Sequence, residues 1–563
     1  MTDQDANTPD TGTARRRALV IAAIVAAVAL VATLITVAVT RTGETDAAPD
    51  PSPMAAPAPG PNPFERPAEW SEHRPAVHVT PGQDWMNDPQ KPFFLDGLWH
   101  YYYLYNPDHP EGNGTAWYHA TSTDLIHWED QGVAIEKYGN GLGDIWTGTA
   151  VVDHDDTAGF GAGAVIALVT QQHEGVQRQS LFVSTDGGYS FSSYEGNPVM
   201  DNPGADDWRD PRVFWDDAAG HWVMALAEHD RIGFYTSPNL REWTYVSDVD
   251  TDGLGVLECP DIFPMAVDGD PDDIRWVLMA GANGAGEGKT TGTVYWTGTW
   301  DGERFTADDS GHRWLDHGAD YYAAVTWDDP RLAPEERLAS RYSIGWMNNW
   351  AYAGEFPTED WQGGSDSIIR SIRLASDAGA GEGEGDGAVR LLSTPAEELR
   401  MLEGEPRPLA DAALDAGGTI DVGDPASDAY RLRLDAGSAD GSGEVRVKVL
   451  TGDGRFATVG YDFDAQVAFV ARDADAIAAG MPEEYRTVRT APVATRDGRV
   501  TLDVVIDVAS IEVFAGDGEA SLTMATFGAP GDRHVRIEAP RGPVTVSDAS
   551  LTPLRVAPIE RVD

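Results

Sequence analysis

Three short segments set a carboxyl group among bulky or apolar neighbours: WMNDPQ with Asp88, WRDPRVFW with Asp210 and LECPDIF with Glu258. Surface acids rarely keep such company. A carboxyl hemmed by aromatics and a proline has its proton affinity raised by desolvation, or is held charged by an adjacent arginine. Those are the two environments that paired acid and base chemistry needs. Glu258, between Leu257 and Cys259, is the better placed for the raised state, and Arg209 stands ready to keep Asp210 ionised. Any one Asp-Pro step is ordinary turn chemistry. Three acid segments spread over one repeating architecture are not explained that way.

Around these acids stand the substrate-facing candidates. Trp85 and Asn87 flank Asp88, and Trp146 and Thr147 sit in DIWTGT. Trp117, Tyr321, Trp346 and Trp350 join Trp146 as side chains that could stack on a sugar face; since tryptophan in β-rich proteins is more often core, no more than two of the five are expected to do so. Cys259 reads as a small buried hydrophobe without a nucleophilic role, and His119 as a structural histidine. No His or Asp cluster has metal-ligand spacing, so neither metal nor cofactor is expected. Asn113 in NGT is read as a turn residue.

The elements that must position these groups are strands. WHYYYLYN, AVIALVTQQ, LFVSTD, HWVMALA, RWVLMAGA, TVYWTGTW and RYSIGWMNNW follow one another between Gly, Asp, Asn and Pro turns, with no long amphipathic helix. An internal echo runs through them: STDLIHW ends at Trp128, STDGGYSF contains Phe191, SPNLREW ends at Trp243 and TGTWDGERF ends at Phe305. Strand, turn and aromatic units at such periods predict a propeller, whose blades bury their faces only against neighbouring blades. Counting RYSIGWMNNW as one more unit gives five blades over residues 72–393. After the acidic Gly-rich loop at 376–388, TPAEELRML has helix-start chemistry, with Thr394 at the N-cap, Pro395 at N1 and Glu397 in the first turn; it is expected to be a linker helix within 394–406. Residues 407–558 alternate again, with close-spaced turns, as a β-sandwich does.

Composition bounds what such a chain can do. A length of 563 residues calls for two or more domains, and 42% hydrophobic with 9% aromatic content excludes a disordered chain. A net charge of −52, with four lysines among 40 basic residues, excludes nucleic acid as a partner, because phosphate binding needs a positive footprint. The lone Cys259 excludes an intrachain disulfide. Residues 18–40 form an uncharged apolar run long enough to span a bilayer, preceded by Arg15, Arg16 and Arg17 and followed by Arg41. That asymmetry predicts a membrane anchor with residues 1–17 inside and the body outside, on a Pro/Ala-rich stalk at 41–71; secretion after cleavage is the other form of export.

The order WMNDP, RDP, ECPD, followed by LDHGADYYA, GWMNNW and the C-terminal IEVFAGDGEASLT, resembles glycoside hydrolase family 32, the fructan hydrolases and invertases, over residues from about 72 to 555. The resemblance implies an all-β fold, a five-bladed β-propeller followed by a β-sandwich. By position it makes Asp88 the nucleophile, Glu258 the general acid/base and Asp210 a transition-state stabiliser on ring hydroxyls. The chemistry agrees, since a retaining glycosidase needs two carboxyl groups about 5 Å apart flanking an oxocarbenium-like transition state. Most relatives read NDPNG where Gln90 and Lys91 follow Pro89 here, and carry Gln in place of Leu104. Gln362 and Ser371 also replace the Arg and Glu of the commoner pattern, which implies altered contacts around the fructosyl pocket.

These departures look most similar to the levan-degrading branch, so the expected substrate is levan, cut at β-2,6 linkages to short products such as levanbiose. A levan fructotransferase or an exo-acting fructosidase uses the same fructosyl-enzyme and differs in acceptor or product. A non-catalytic carbohydrate-binding propeller is the alternative from another class, and a protein-docking propeller of the cell envelope would leave the acids unexplained. Oligomeric state has no signature in the sequence.

Overall fold

The computed structural model describes residues 73–555, apart from 113, 252, 310, 359–360, 378–387, 453–454, 473–479 and 529–532. The expected anchor at 18–40, the tail before it and the stalk at 41–71 lie outside the described residues. Among the described residues no helix is long and apolar enough to cross a membrane.

Alternating and all-apolar runs form strands throughout, and the first five sheets are consecutive in sequence. The first is built on Asp84–Pro89, Leu98–Asn106, Ala116–Ser122 and Glu129–Ile135; the second begins at Asp144–Asp153, the third at Arg209–Asp216, the fourth at Leu257–Ala266 and the fifth at Tyr322–Trp327. The opening strands of the second to fifth sheets lie against one another in turn, that of the fifth lies against that of the first, and that of the second lies against Leu98–Asn106 and Ala116–Ser122 of the first, so the sheets close into a ring of five blades. Trp361–Gln362, an excursion from the fifth blade, pairs in parallel with Asp84 and Trp85 and seals the ring. A strand such as Leu98–Asn106 is buried at every position because both faces of its blade pack on neighbours.

The sequence echo marks the outer hairpin of four blades. Asp124, Asp186, Asn239 and Asp301 each accept backbone N–H groups two to four residues on, as an Asx turn does, and the aromatic that follows packs beneath the turn or close after it. RYSIGWMNNW is not a fifth copy of this unit. It supplies the second strand of the fifth blade, Arg341–Met347, and the loop beyond it, so the blade count is right although that register is not.

The expected linker helix also differs. Thr394 and Pro395 complete the outermost strand of the fifth blade, paired with Ser371 and Arg370, and only Glu397–Leu402 turns, as a 3-10 helix capped at Ala396. Pairing with the blade satisfies the backbone that a cap at Thr394 would have left for a side chain.

A 7-stranded and a 6-stranded sheet then pack face to face over a shared core that includes Leu432, Val447, Val504 and Ile537. The sandwich is bound to the propeller through buried charge. His78 bridges Asp507 at 2.8 Å and Glu512 at 2.9 Å, while Arg370 pairs with Asp316 at 2.8 Å and Glu512 at 2.6 Å. Burial alone would lower the proton affinity of His78, but its bonds to Asp507 and Glu512 prevail and raise it to about 9.

Candidate active site

Every opening strand of a blade carries a bulge at the same level of the ring: between Asn87 and Pro89, Ile145 and Gly148, Arg209 and Arg212, Glu258 and Asp261, and Tyr322 and Val325. A bulge twists a strand and re-aims one side chain out of the ladder. Here the re-aimed positions bring Asp88, Trp146, Thr147, Asp210, Glu258 and Tyr322 to one end of the ring. Asp210 adopts φ 65° and Cys259 φ 47°, conformations that most side chains avoid.

Asp88, Asp210 and Glu258 line one cavity of about 680 Å³, together with Trp85, Asn87, Trp146, Thr147 and Arg209. That is the size class of small-ligand sites. The three acids have different surroundings. Asp88 accepts from Thr147 Oγ1 at 2.6 Å on one oxygen and from Asn87 Nδ2 at 3.1 Å on the other, and Trp85 Nε1 fixes Asn87 at 2.9 Å. Burial and the charge of Glu258 push the proton affinity of Asp88 up, against the Thr147 and Asn87 bonds that pull it down. Asp210 accepts the backbone N–H of Cys259 at 3.0 Å. Burial drives Asp210 to about 7, opposed by Arg209 and reinforced by Glu258 and Asp88. Glu258 accepts from Arg209 Nη2 at 2.9 Å and Nε at 3.2 Å on Oε1, and from the Tyr322 hydroxyl at 2.5 Å on Oε2.

The charge of Arg209 does oppose the rise at Asp210, but the contacts of Arg209 and Glu258 differ from those expected. The guanidinium of Arg209 bonds Glu258 and Asp207 and does not hydrogen-bond Asp210, because the bulge turns consecutive side chains apart. Glu258 therefore sits among donors, although its sequence neighbours are apolar. Cys259 is buried as expected, but between carboxyls: its Sγ is 3.7 Å from Asp88 Oδ2 and 3.6 Å from Asp210 Oδ2. Burial, and then those charges, hold the thiol protonated by pushing its proton affinity well up.

Of the aromatics, Trp146 and Trp350 line the cavity, and Trp350 is 48% exposed beside Trp85, with ring centroids 6.3 Å apart. Trp117, Tyr321 and Trp346 do not. Trp117 is wholly buried and donates to the Trp146 carbonyl; Trp346, equally buried, donates to the Gly363 carbonyl; Tyr321 shares a hydrogen bond with Ser343 under the guanidinium of Arg370. They are blade core and offer a sugar no face. Gln90 is also buried, joining blades through the Asp88 carbonyl and the Gly148 N–H, whereas Leu104 reaches the cavity wall. Ser371 faces away, on a cleft between the fifth blade and the sandwich. His119 stacks in the core with His100, 3.1 Å between ring nitrogens, and burial pulls its proton affinity well down.

Tyr322 had no chemical signal of its own, although it falls within LDHGADYYA. Asp366 was also missed: it is wholly buried, accepts from the Tyr101 hydroxyl, and is raised to about 8 by burial, with the nearby charge of Asp88 adding to the rise. His109 and Tyr138, which also line the cavity, lie in loop-like sequence that carried no motif, and Asp144, at the head of DIWTGT, was passed over for Trp146 and Thr147.

The family description "Glycosyl hydrolases family 32 N-terminal domain" matches residues 78–382, and its C-terminal counterpart matches residues 406–553. The levanbiose-producing levanase of Bacillus subtilis (strain 168) is 41% identical over 488 residues, covering 85% of this chain and 90% of that protein. Its namesake from Geobacillus stearothermophilus is 47% identical over 352 residues, 62% of this chain and 85% of that protein. Among solved structures, the exo-inulinase of Aspergillus awamori superposes with a TM-score of 0.75 at 28% identity, covering 87% of this chain and all of that one.

Proposed function

Because the chain belongs to glycoside hydrolase family 32, we propose that it cleaves β-2,6-fructosyl linkages of levan with retention of configuration, releasing short products such as levanbiose. Asp88 attacks the anomeric carbon of a bound fructosyl unit. Its two oxygens are fixed by Thr147 and Asn87, so the attacking carboxylate is oriented before substrate arrives. Glu258 gives its proton to the departing oxygen and then takes one from the incoming water, with Arg209 and Tyr322 holding its two oxygens in place. Asp210, with Oδ2 held by the Cys259 N–H, accepts ring hydroxyls through its other oxygen, and those bonds strengthen as positive charge develops on the ring.

The observation that carries the reading is the convergence of three carboxyl groups, from the first, third and fourth blades, on one cavity with three different sets of partners. The two levanbiose-producing relatives support levan as substrate, and a polymer of that kind must be cut outside the cell before uptake. The apolar run at 18–40 supports tethering there.

A time course of soluble products from levan, with inulin and sucrose alongside, tests the reading. Levanbiose ahead of fructose, and from levan alone, is expected. Fructose from the outset, from all three substrates, would make the protein an exo-acting fructosidase; products longer or cyclised without net uptake of water would make it a fructotransferase.

A further inference from the structure

The cavity does not stop at the three acids. It continues toward its mouth along two neighbouring strands. On one, Leu104 pairs with Asn87 and Asn106 with Trp85. On the other, Asp144 precedes Thr147 by three residues, one of them taken up by the bulge between Ile145 and Gly148, which at about 3.3 Å per paired residue sets it roughly 7 Å beyond the group that holds Asp88. A neighbouring sugar ring occupies a distance of this order.

Asp144 has one satisfied oxygen and one that is not. Trp146 Nε1 donates to Oδ2 at 2.8 Å, whereas Oδ1, on a side chain 4% exposed, has no donor among the described residues. A buried acceptor left empty is costly unless a ligand or water fills it. Facing it is Tyr138, 50% exposed on the cavity rim. The two meet over Gly114, where a Cβ would come within 2.6 Å of Asp144 Cβ and 2.7 Å of the Tyr138 hydroxyl. Gly114 also has φ 77°, so the close approach and the backbone both require glycine.

The wall is built in advance. Lys137 Nζ binds Asn106 Oδ1 at 2.9 Å, Asp108 at 2.7 Å and the Gly114 carbonyl at 3.3 Å, and Ile145 N–H donates to the Thr115 carbonyl at 2.9 Å. A buried carboxylate oxygen with no donor of its own, on a residue that lines the cavity beside an exposed aromatic ring, is the chemistry that holds a sugar. Leu104, the cross-strand partner of Asn87 on the cavity wall, offers no side-chain hydrogen bond. Such a surface suits a glycosidic link better than a free hydroxyl.

We propose that Asp144 and Tyr138 form the subsite for a second fructosyl unit, the one joined through the 6-oxygen to the unit that Asp88 attacks, so that cleavage releases the two together. The inference rests on the fructan-hydrolase reading above and assigns its product length to named residues.

Asp144→Ala and Tyr138→Ala test it, each assayed on levan with product analysis and on an aryl β-fructofuranoside, which carries a single unit. The ratio of kcat/KM on levan to that on the aryl fructoside is expected to fall roughly tenfold or more in each variant, with fructose replacing the two-unit product. Asp144→Asn, which still accepts from Trp146 but loses an acceptor oxygen, reports the same shift if the alanine variant fails to fold. Equal losses on both substrates, or a lower levan rate with unchanged product length, would overturn the proposal, the latter by placing these residues on the leaving-group side. An unmodified protein inactive on both substrates would remove the hydrolase reading and this inference with it, whereas full levan turnover with unchanged products in all variants removes only the inference.

Discussion

Thr147→Val isolates the hydrogen bond that keeps Asp88 charged. Thr147 is buried, 5% exposed, and its hydroxyl lies 2.6 Å from Asp88 Oδ2. Valine matches its shape and removes the hydroxyl, which donates to Asp88 and accepts a longer contact from Gln90 Nε2 at 3.5 Å. A hydrogen bond to a charged group contributes about 1.5–3 kcal/mol. Asp88 is already raised by burial and by the charge of Glu258, with Thr147 among the groups that lower it. Losing that bond raises it further. In the proposed role of nucleophile Asp88 works ionised, so the acid limb of kcat/KM moves to higher pH. Below the limb the variant loses activity by a factor equivalent to that energy, roughly 10- to 150-fold, and above it the loss shrinks toward nothing. The assay is kcat/KM on an aryl fructoside across pH, with Thr147→Ser restoring the original profile. A loss of equal size at every pH would show that Thr147 serves the substrate and not the charge on Asp88. An unmoved limb with full activity would show that the bond does not matter; either result refutes the reasoning.

Three further outcomes follow from the same structure. Glu258→Gln should lower turnover of levan by roughly 10²–10⁴-fold with thermal stability retained, and Asp88→Ala should abolish it; a fully active variant of either would remove its assigned role. His78→Ala leaves Asp507 and Glu512 buried without their shared cation and should cost about 3–5 kcal/mol, read as a fall in the denaturant midpoint. Since His78 is raised to about 9 from 6.5, its contribution is complete below pH 6.5 and lost as pH rises through about 9; the unmodified protein should therefore lose stability on the alkaline side, and the variant should lack that part of the decline. Trp117→Ala should destabilise by about 3–5 kcal/mol as a core truncation, without a selective rise in KM; a raised KM at unchanged stability would return Trp117 to the substrate.

The three acids that line the cavity were legible because each breaks the local rule that acids sit among polar neighbours, and because the three recur on a repeating strand pattern. The blades were legible from the same strands and from the Asx turns that close four of them. The fifth blade lacks that signature: its outer strands are joined through 378–387, so the count rested on a different segment. Aromatic type could not separate Trp350 from Trp346, four residues earlier. One stands at the cavity mouth and the other turns into the core, and only the bulge and loop geometry decides which. The same holds for Arg209: adjacency to Asp210 in sequence suggested a pair, but a bulged strand sends adjacent side chains to different partners. Asp144 and Tyr138 belong to a wall made by a loop and a strand from separate blades, which no linear motif records. The buried cluster of His78, Arg370, Asp507 and Glu512 joins residues hundreds of positions apart, a relation that becomes visible only with the two domains packed.

The central claim is that Asp88 forms a covalent bond to the fructosyl unit. In Glu258→Gln an aryl leaving group departs without acid help, but the base needed to activate water is missing, so the fructosyl-enzyme should accumulate. Mass analysis of the digested variant after exposure to the aryl fructoside should find one fructosyl unit on the peptide that carries Asp88. Release of the aryl group with that peptide unmodified, or with the fructosyl unit on the peptide of Asp210, would contradict the account.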